Sequence, residues 1–147
     1  MIARRRLLFR LASLVPVLTL LRPARADEPA LAVIEKASSA APWASFEFTF
    51  ELDGVSAPGI AIRLPTGGWY ASSMVCPHAK CIVRYFANVD VARDTFDVDA
   101  KNPVLGCPCH FSVFDVASGG KVINGPAPSP LLQLSATLEG DRLIIRR

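Results

Sequence analysis

Histidine is almost missing from this chain, with two in 147 residues, and cysteine is scarce at four. Long apolar runs are scarce too. The stretch from Leu11 to Leu21 is shorter than the ~20 residues a membrane span needs. No second such run, internal repeat or low-complexity tract is visible. The formal charge of +3 is local in origin. Residues 1–26 hold six arginines and no acid, so the other 121 residues carry ten basic and thirteen acidic side chains, a net of −3. That balance gives no support to a nucleic-acid partner. Residues 27–147 suffice for one domain with a real core. No catalytic base or substrate pocket stands out in the sequence.

What is present is concentrated. Cys76-Pro77-His78-Ala79-Lys80-Cys81 forms one box and Cys107-Pro108-Cys109-His110 a second, and together they contain every cysteine and histidine of the chain. Several chemistries suit such a set. Four cysteines of an exported chain permit two disulfides in three pairings. Two Cys and two His also suit zinc. A c-type haem is excluded, because it needs C-x-x-C-H and the second box is one residue short.

The two boxes resemble the ligand set of Rieske proteins, C-x-H-x-x-C followed by C-x-C-H. The resemblance extends past the second box. Ser112, Phe114, Asp115, Gly119, Gly120 and Gly125-Pro126-Ala127-Pro128 fall where Rieske proteins carry similar residues. It implies one two-iron, two-sulfide cluster in which two His replace two Cys on one iron. Cys76 and Cys107 would hold one iron, and His78 and His110 the other. Cys81 and Cys109, one per box, would form the disulfide of the high-potential branch. The chemistry is coherent: thiolates are anionic and imidazoles are not, so the exchange raises the potential and localises the electron. The implied fold is all-β, with stacked antiparallel sheets and the cluster at a tip formed by two loops.

The N-terminus reads as an export signal. Arg4-Arg5-Arg6 and Leu7-Leu8-Phe9 look like a twin-arginine motif, followed by the apolar run and Ala24-Arg25-Ala26, a small-residue cleavage site. We expect a signal peptide over 1–26, a periplasmic Rieske domain over 27–147, and membrane association only if the signal stays uncleaved. An oxidising destination lets a Cys81–Cys109 bridge persist.

Periodicity agrees with a β fold. Phe46, Phe48, Phe50 and Leu52 alternate with polar residues, as Ile60, Ile62 and Leu64 alternate with their neighbours. Trp69 to Val75 leads into the first box and Ile82 to Phe86 leaves it. Leu132, Leu134, Ala136 and Leu138 predict a strand that turns at Glu139-Gly140-Asp141 into Leu143-Ile144-Ile145. Residues 31–37 are read as a helical turn. Twelve prolines and nine glycines punctuate the rest. The aromatic stripe is read as core. The segment between His78 and Cys107, 28 residues long, exceeds the usual Rieske spacing. It is read as an extra hairpin or a docking surface, and its acids Asp90, Asp94, Asp97 and Asp99 as a solvated face.

Departures from the family pattern bear on tuning and partners. Ser112 sits where the family places a hydroxyl that bonds a bridging sulfide. Phe114 replaces the Tyr of respiratory members, whose phenol bonds a ligand sulfur, so an intermediate potential is expected. Ala79 and Lys80 replace a Leu and a Gly. The Leu shields the cluster and lines the quinone contact, which Ala79 puts in doubt. Lys80 adds a cation that favours the reduced state. Phe111 follows His110 where most members have Gly, as in the small subunit of periplasmic arsenite oxidase, which Ala57-Pro58-Gly59-Ile60 also resembles. That reading implies a large molybdopterin subunit as electron donor and a periplasmic cytochrome c or similar acceptor. The alternative is the Rieske subunit of a cytochrome bc complex, which Gly125-Pro126-Ala127-Pro128 matches better. A soluble ferredoxin feeding an aromatic-ring oxygenase would lack both the signal and the Cys81/Cys109 pair.

Overall fold

The computed structural model describes residues 28–147. The signal expected over 1–26 lies outside the described residues. Ten strands and one short helix form three antiparallel sheets. β1 (Ala32–Ile34), β10 (Arg142–Arg146) and β9 (Ser135–Glu139) make the first, in that order. β2 (Ser45–Leu52), β3 (Val55–Arg63) and β4 (Trp69–Ser73) make the second. β5 (Arg84–Phe86), β6 (Val104–Gly106), β7 (Val113–Asp115) and β8 (Lys121–Asn124) make the third.

Period-two patterning explains β2, whose Phe46, Phe48, Phe50 and Leu52 are shielded while their polar neighbours are exposed. Asp53 and Gly54 then turn the chain with φ of 52° and 79°, the left-handed pair that a two-residue hairpin demands. The alternation fails in β3 because both of its faces are covered. Ile60 and Ile62 join a core with Tyr70, Leu105, Phe114 and Leu131 on one side. Ala57 and Ala61 join Phe50, Ala71, Leu143 and Ile145 on the other. The second sheet is therefore a middle layer, in which β3 turns Ile60 and Ile62 toward the third sheet and Ala57 and Ala61, beside Phe50 of β2, toward the first. Its aromatic stripe is largely core, with Phe50 only 4% exposed.

Three sequence expectations change. Residues 31–37 are not one helical turn. Ala32–Ile34 is a strand paired with Leu143–Ile145, and only Ala37–Ser39 forms a 3₁₀ turn. The ladder partner lies at the far end of the chain, beyond the reach of local pattern. The alternating Leu132–Leu138 segment is not one strand either. Its first half lies along β4, where Ser73 N–H donates to Leu132 O (2.8 Å) and Leu134 N–H to Ala71 O (2.9 Å). The ladder with β10 begins only at Ser135, and Leu138 is partly exposed.

The third change is the long segment between the boxes, which is a helix, α1 (Val89–Phe96), rather than a hairpin. Asn88 Oδ1 caps it, accepting from the N–H groups of Asp90 (2.9 Å) and Val91 (3.3 Å). Asp90 suits the positive first turn and pairs with Arg93 at 3.0 Å. Ala92 and Phe96 face inward onto Val104 and Val113. Asp97 ends the helix at φ 50°.

The third sheet is tied to the middle layer's entry by Tyr85, whose hydroxyl donates to Trp43 O at 3.1 Å. Burial pushes this phenol up to about 12. A raised folded-state value means the folded protein holds the proton more tightly than the unfolded chain, so the stability it contributes is present below the ordinary value of 10 and is lost as pH rises toward 12. Melting temperature should fall over that window, and Tyr85→Phe should flatten the fall. An unchanged alkaline slope in the variant would show that this phenol is not what titrates.

Candidate metal centre

The first box leaves the middle layer after β4, and the second is the loop between β6 and β7. The two share one backbone design. In the first, Cys76 N–H donates to Cys81 O (2.8 Å) and Lys80 N–H to Cys76 O (2.9 Å). In the second, Cys107 N–H donates to Ser112 O (2.8 Å) and Phe111 N–H to Cys107 O (3.1 Å). Each loop thus opens on a buried cysteine, followed by proline, and closes through a residue four positions on. That fifth residue is left-handed in both, Lys80 at φ 60° and Phe111 at φ 58°. A side chain in this conformation costs roughly 1–2 kcal/mol, which explains why glycine is the usual choice there.

The side chains divide by environment. Cys76 and Cys107 are free thiols, 1% and 2% exposed, within the core formed by Met74, Leu105 and Phe114. Burial pushes the Cys76 thiol up, and the neighbouring Cys107 thiol adds to this. The backbone N–H groups of His78 and Ala79 point at the sulfur and oppose the rise. A metal cation bound there would take the place of the proton on such a sulfur, and those same N–H groups would stabilise the resulting thiolate. His78 and His110 are exposed, with ring centroids 4.7 Å apart at 89°. Cys81 and Cys109 form a disulfide with Cα atoms 6.5 Å apart. The sulfurs of Cys81, Cys107 and Cys109 lie within 4.8 Å of one another. Two of the three are spent on the bridge, which leaves Cys107 as the thiol available to a metal. Two buried thiols and two facing imidazoles fit a group that takes one sulfur pair and one nitrogen pair. Zinc shares this donor chemistry, but the pattern around the donors goes further.

Ser112 is fully buried, and its Oγ accepts from Ala127 N–H at 3.0 Å. The hydroxyl proton is thereby left to donate elsewhere. Gly125, at φ 84°, lets the following Pro126 segment pass over the second box. A Cβ there would come within 2.5 Å of Ser112 Cα and 2.6 Å of Phe111 O. Phe114 is fully buried in the same core as both thiols. Ala79 and Lys80 are exposed. Sequence reading missed Phe96, whose ring lies 5.9 Å from that of Phe111. It also missed Gly106, where a Cβ would run into the Phe96 ring. The helical spacing of Val89, Ala92 and Phe96 after Asn88 was the available signal.

Two expectations follow for stability. Lys80→Gly should raise stability by about 1 kcal/mol by removing the left-handed penalty, and a lower melting temperature would contradict it. Removing the Cys81–Cys109 bridge by a double Ser substitution should cost roughly 3–4 kcal/mol, given its 28-residue separation. Unchanged denaturation of the double variant would show that the bridge does not restrain the unfolded chain.

Comparison with known proteins extends the geometric reading. The Rieske [2Fe-2S] domain model matches residues 47–136, which contain both boxes. The cytochrome b6-f complex iron-sulfur subunit of Chlorobaculum thiosulfatiphilum is 37% identical over 81 residues, 55% of this chain and 36% of that one. A Haloferax mediterranei protein described as a respiratory nitrate reductase Rieske subunit is 33% identical over 78 residues, 53% of this chain and 29% of its own length. The chain thus spans about a third of the length of these curated relatives. The soluble domain of Rieske protein II from Sulfolobus acidocaldarius superposes with a TM-score of 0.57 at 22% identity, covering 82% of this chain and 79% of that one. The β fold, the donor set and the matched family model agree: this chain belongs to the Rieske [2Fe-2S] domain family.

Proposed function

We propose that Cys76 and Cys107 hold one iron of the cluster, that His78 and His110 hold the other, and that the chain relays single electrons within a larger redox complex. The observation that carries this reading is the division of the four donors, with thiols inside the core and imidazoles at the surface. When bound, the cluster supplies a one-electron carrier whose potential responds to hydrogen bonds and burial. The chain's own groups do the rest. The His78 and Ala79 N–H groups hold the Cys76 thiolate. The apolar core keeps water from the sulfurs, and Ser112 has a proton free to donate. The imidazoles are the natural exit and entry point, because they alone among the donors face solvent.

The partner is a large molybdopterin oxidoreductase subunit, with a periplasmic cytochrome c or similar protein as acceptor. Supporting this are Phe111, half exposed beside His110, the exposed Ala79 in place of a quinone-lining Leu, and Phe114 in place of Tyr. Lys80 adds a charge that would steer an acidic partner. The competing reading is the Rieske subunit of a quinol-oxidising cytochrome bc complex. It is favoured by the relatives, several of which are cytochrome b6-f iron-sulfur subunits, and by Gly125-Pro126-Ala127-Pro128. Export by the twin-arginine route to the periplasm, with cleavage after Ala26, belongs to the same proposal.

Iron and acid-labile sulfide should be present at two each per chain, and His78→Ala or Cys107→Ala should remove the paramagnetic signal of the reduced protein. One zinc without sulfide would refute the ligand assignment. Purification from the native host should bring down a molybdenum-containing subunit. Recovery with cytochrome b and reduction by quinol would decide for the bc-type reading. Phe114→Tyr should raise the midpoint potential, since a phenol there can donate to a ligand sulfur. A lower or unchanged potential in a redox titration, with the cluster intact, would show that the ring is aimed elsewhere.

A further inference from the structure

The helix between the boxes has no part in the donor set, yet it ends against the second box. Phe96, its last residue, is 5% exposed. Its ring meets Phe86 edge-on with centroids 5.1 Å apart and Phe111 with centroids 5.9 Å apart. On the same side it occupies the space that a Cβ of Gly106 would need. Gly106 immediately precedes Cys107, and Phe111 immediately follows His110. One side chain therefore abuts both ends of the second box. Asn124 Nδ2 reinforces the arrangement from β8, reaching Phe96 O at 3.3 Å and Phe111 O at 3.4 Å. Among the described residues, no aromatic ring pairs with Lys80 as Phe96 does with Phe111. Lys80, the counterpart of Phe111, is exposed and has the cleft lined by Leu52, Val75 and Leu132 beside it.

We propose that Phe96 is a positioning residue for the second cluster loop, and that α1 is the internal brace which fixes Cys107 relative to His110. This rests on the ligand assignment proposed above. The physical reason for a brace is Phe111 itself. A bulky residue held left-handed strains the loop at its closing hydrogen bond. Edge-to-face contact between the Phe96 and Phe111 rings offsets part of that strain. It also fixes where the loop closes. With the ring gone, the loop and the His110 side chain it carries would sample a wider range of orientations.

The twin loops supply an internal control. Phe111 N–H and Lys80 N–H make the same hydrogen bond in the two boxes, to Cys107 O and Cys76 O. In Phe96→Leu, amide exchange at Phe111 should become several-fold faster while exchange at Lys80 is unchanged. The reduced protein should show a shifted midpoint potential and broadened paramagnetic g-values. Gly106→Ala should reproduce these changes by pushing the ring aside. Gly106→Ala added to Phe96→Ala should have a much smaller further effect, because only the Phe86 ring, 3.1 Å from such a Cβ, then has to yield, so the two sites should couple in a double-mutant cycle.

Equal acceleration at Phe111 and Lys80 would mean that Phe96 supports only global stability, and would overturn the proposal. So would unchanged exchange and potential. Slowed electron transfer to the partner, with exchange and potential both unchanged, would make α1 a docking element instead. Wild-type protein lacking iron and sulfide would sink the ligand assignment, while the amide comparison would still decide whether Phe96 braces the loop.

Discussion

Two loops from different layers must hold one cofactor between them, and neither carries enough donors to do so alone. The first loop hangs from the middle layer and the second from an outer one, so the cluster can be no more rigid than the packing between those layers. That packing is the core around Ile60, Ile62, Leu105 and Phe114, and it also contains the two buried thiols of Cys76 and Cys107. The apolar core and the metal centre are continuous. The Cys81–Cys109 bridge closes the same joint from the surface side. Gly125 allows a third segment to lie against it without a steric gap.

The likeness of the two loops makes the origin of the site's asymmetry visible. Their backbones use the same pair of closing bonds and the same left-handed fifth residue. What differs is where the functional side chains fall. Histidine is third in the first loop and fourth in the second, while the bridging cysteine is sixth in the first and third in the second. One backbone template thus presents thiol inward twice and imidazole outward twice, with the bridge linking unlike positions. The sequence chooses the chemistry, and the fold supplies two near-copies of a holder.

Much of this was legible beforehand. The two loops stood out because every histidine and cysteine of the chain falls within them. The bridge pairing came only from the family resemblance, since four cysteines leave three pairings open. Strands with one solvent face, such as Ser45–Leu52, were plain in their alternation. β3 was harder, because cover on both faces erases the period. Ala32–Ile34 was misread since its partner strand is over a hundred residues away in sequence. α1 was hidden by its acids, which drew attention to the exposed face and away from Asn88, Ala92 and Phe96. The left-handed state of Lys80 and Phe111 was implicit in the glycines they replace, but nothing local in either side chain announces it.

The pairing of Ala32–Ile34 with Leu143–Ile145 also says something about how this protein comes into being. The first described strand has no neighbour to bond until the last one has been synthesised. Until β10 is in place, one outer layer is missing its central strand, and the face of the middle layer that carries Phe50, Ala57 and Ala61 stays uncovered. Contacts this distant in sequence form slowly and late. Closure of that layer is therefore a late step, and the interval before it is when a chaperone would find the most apolar surface to bind.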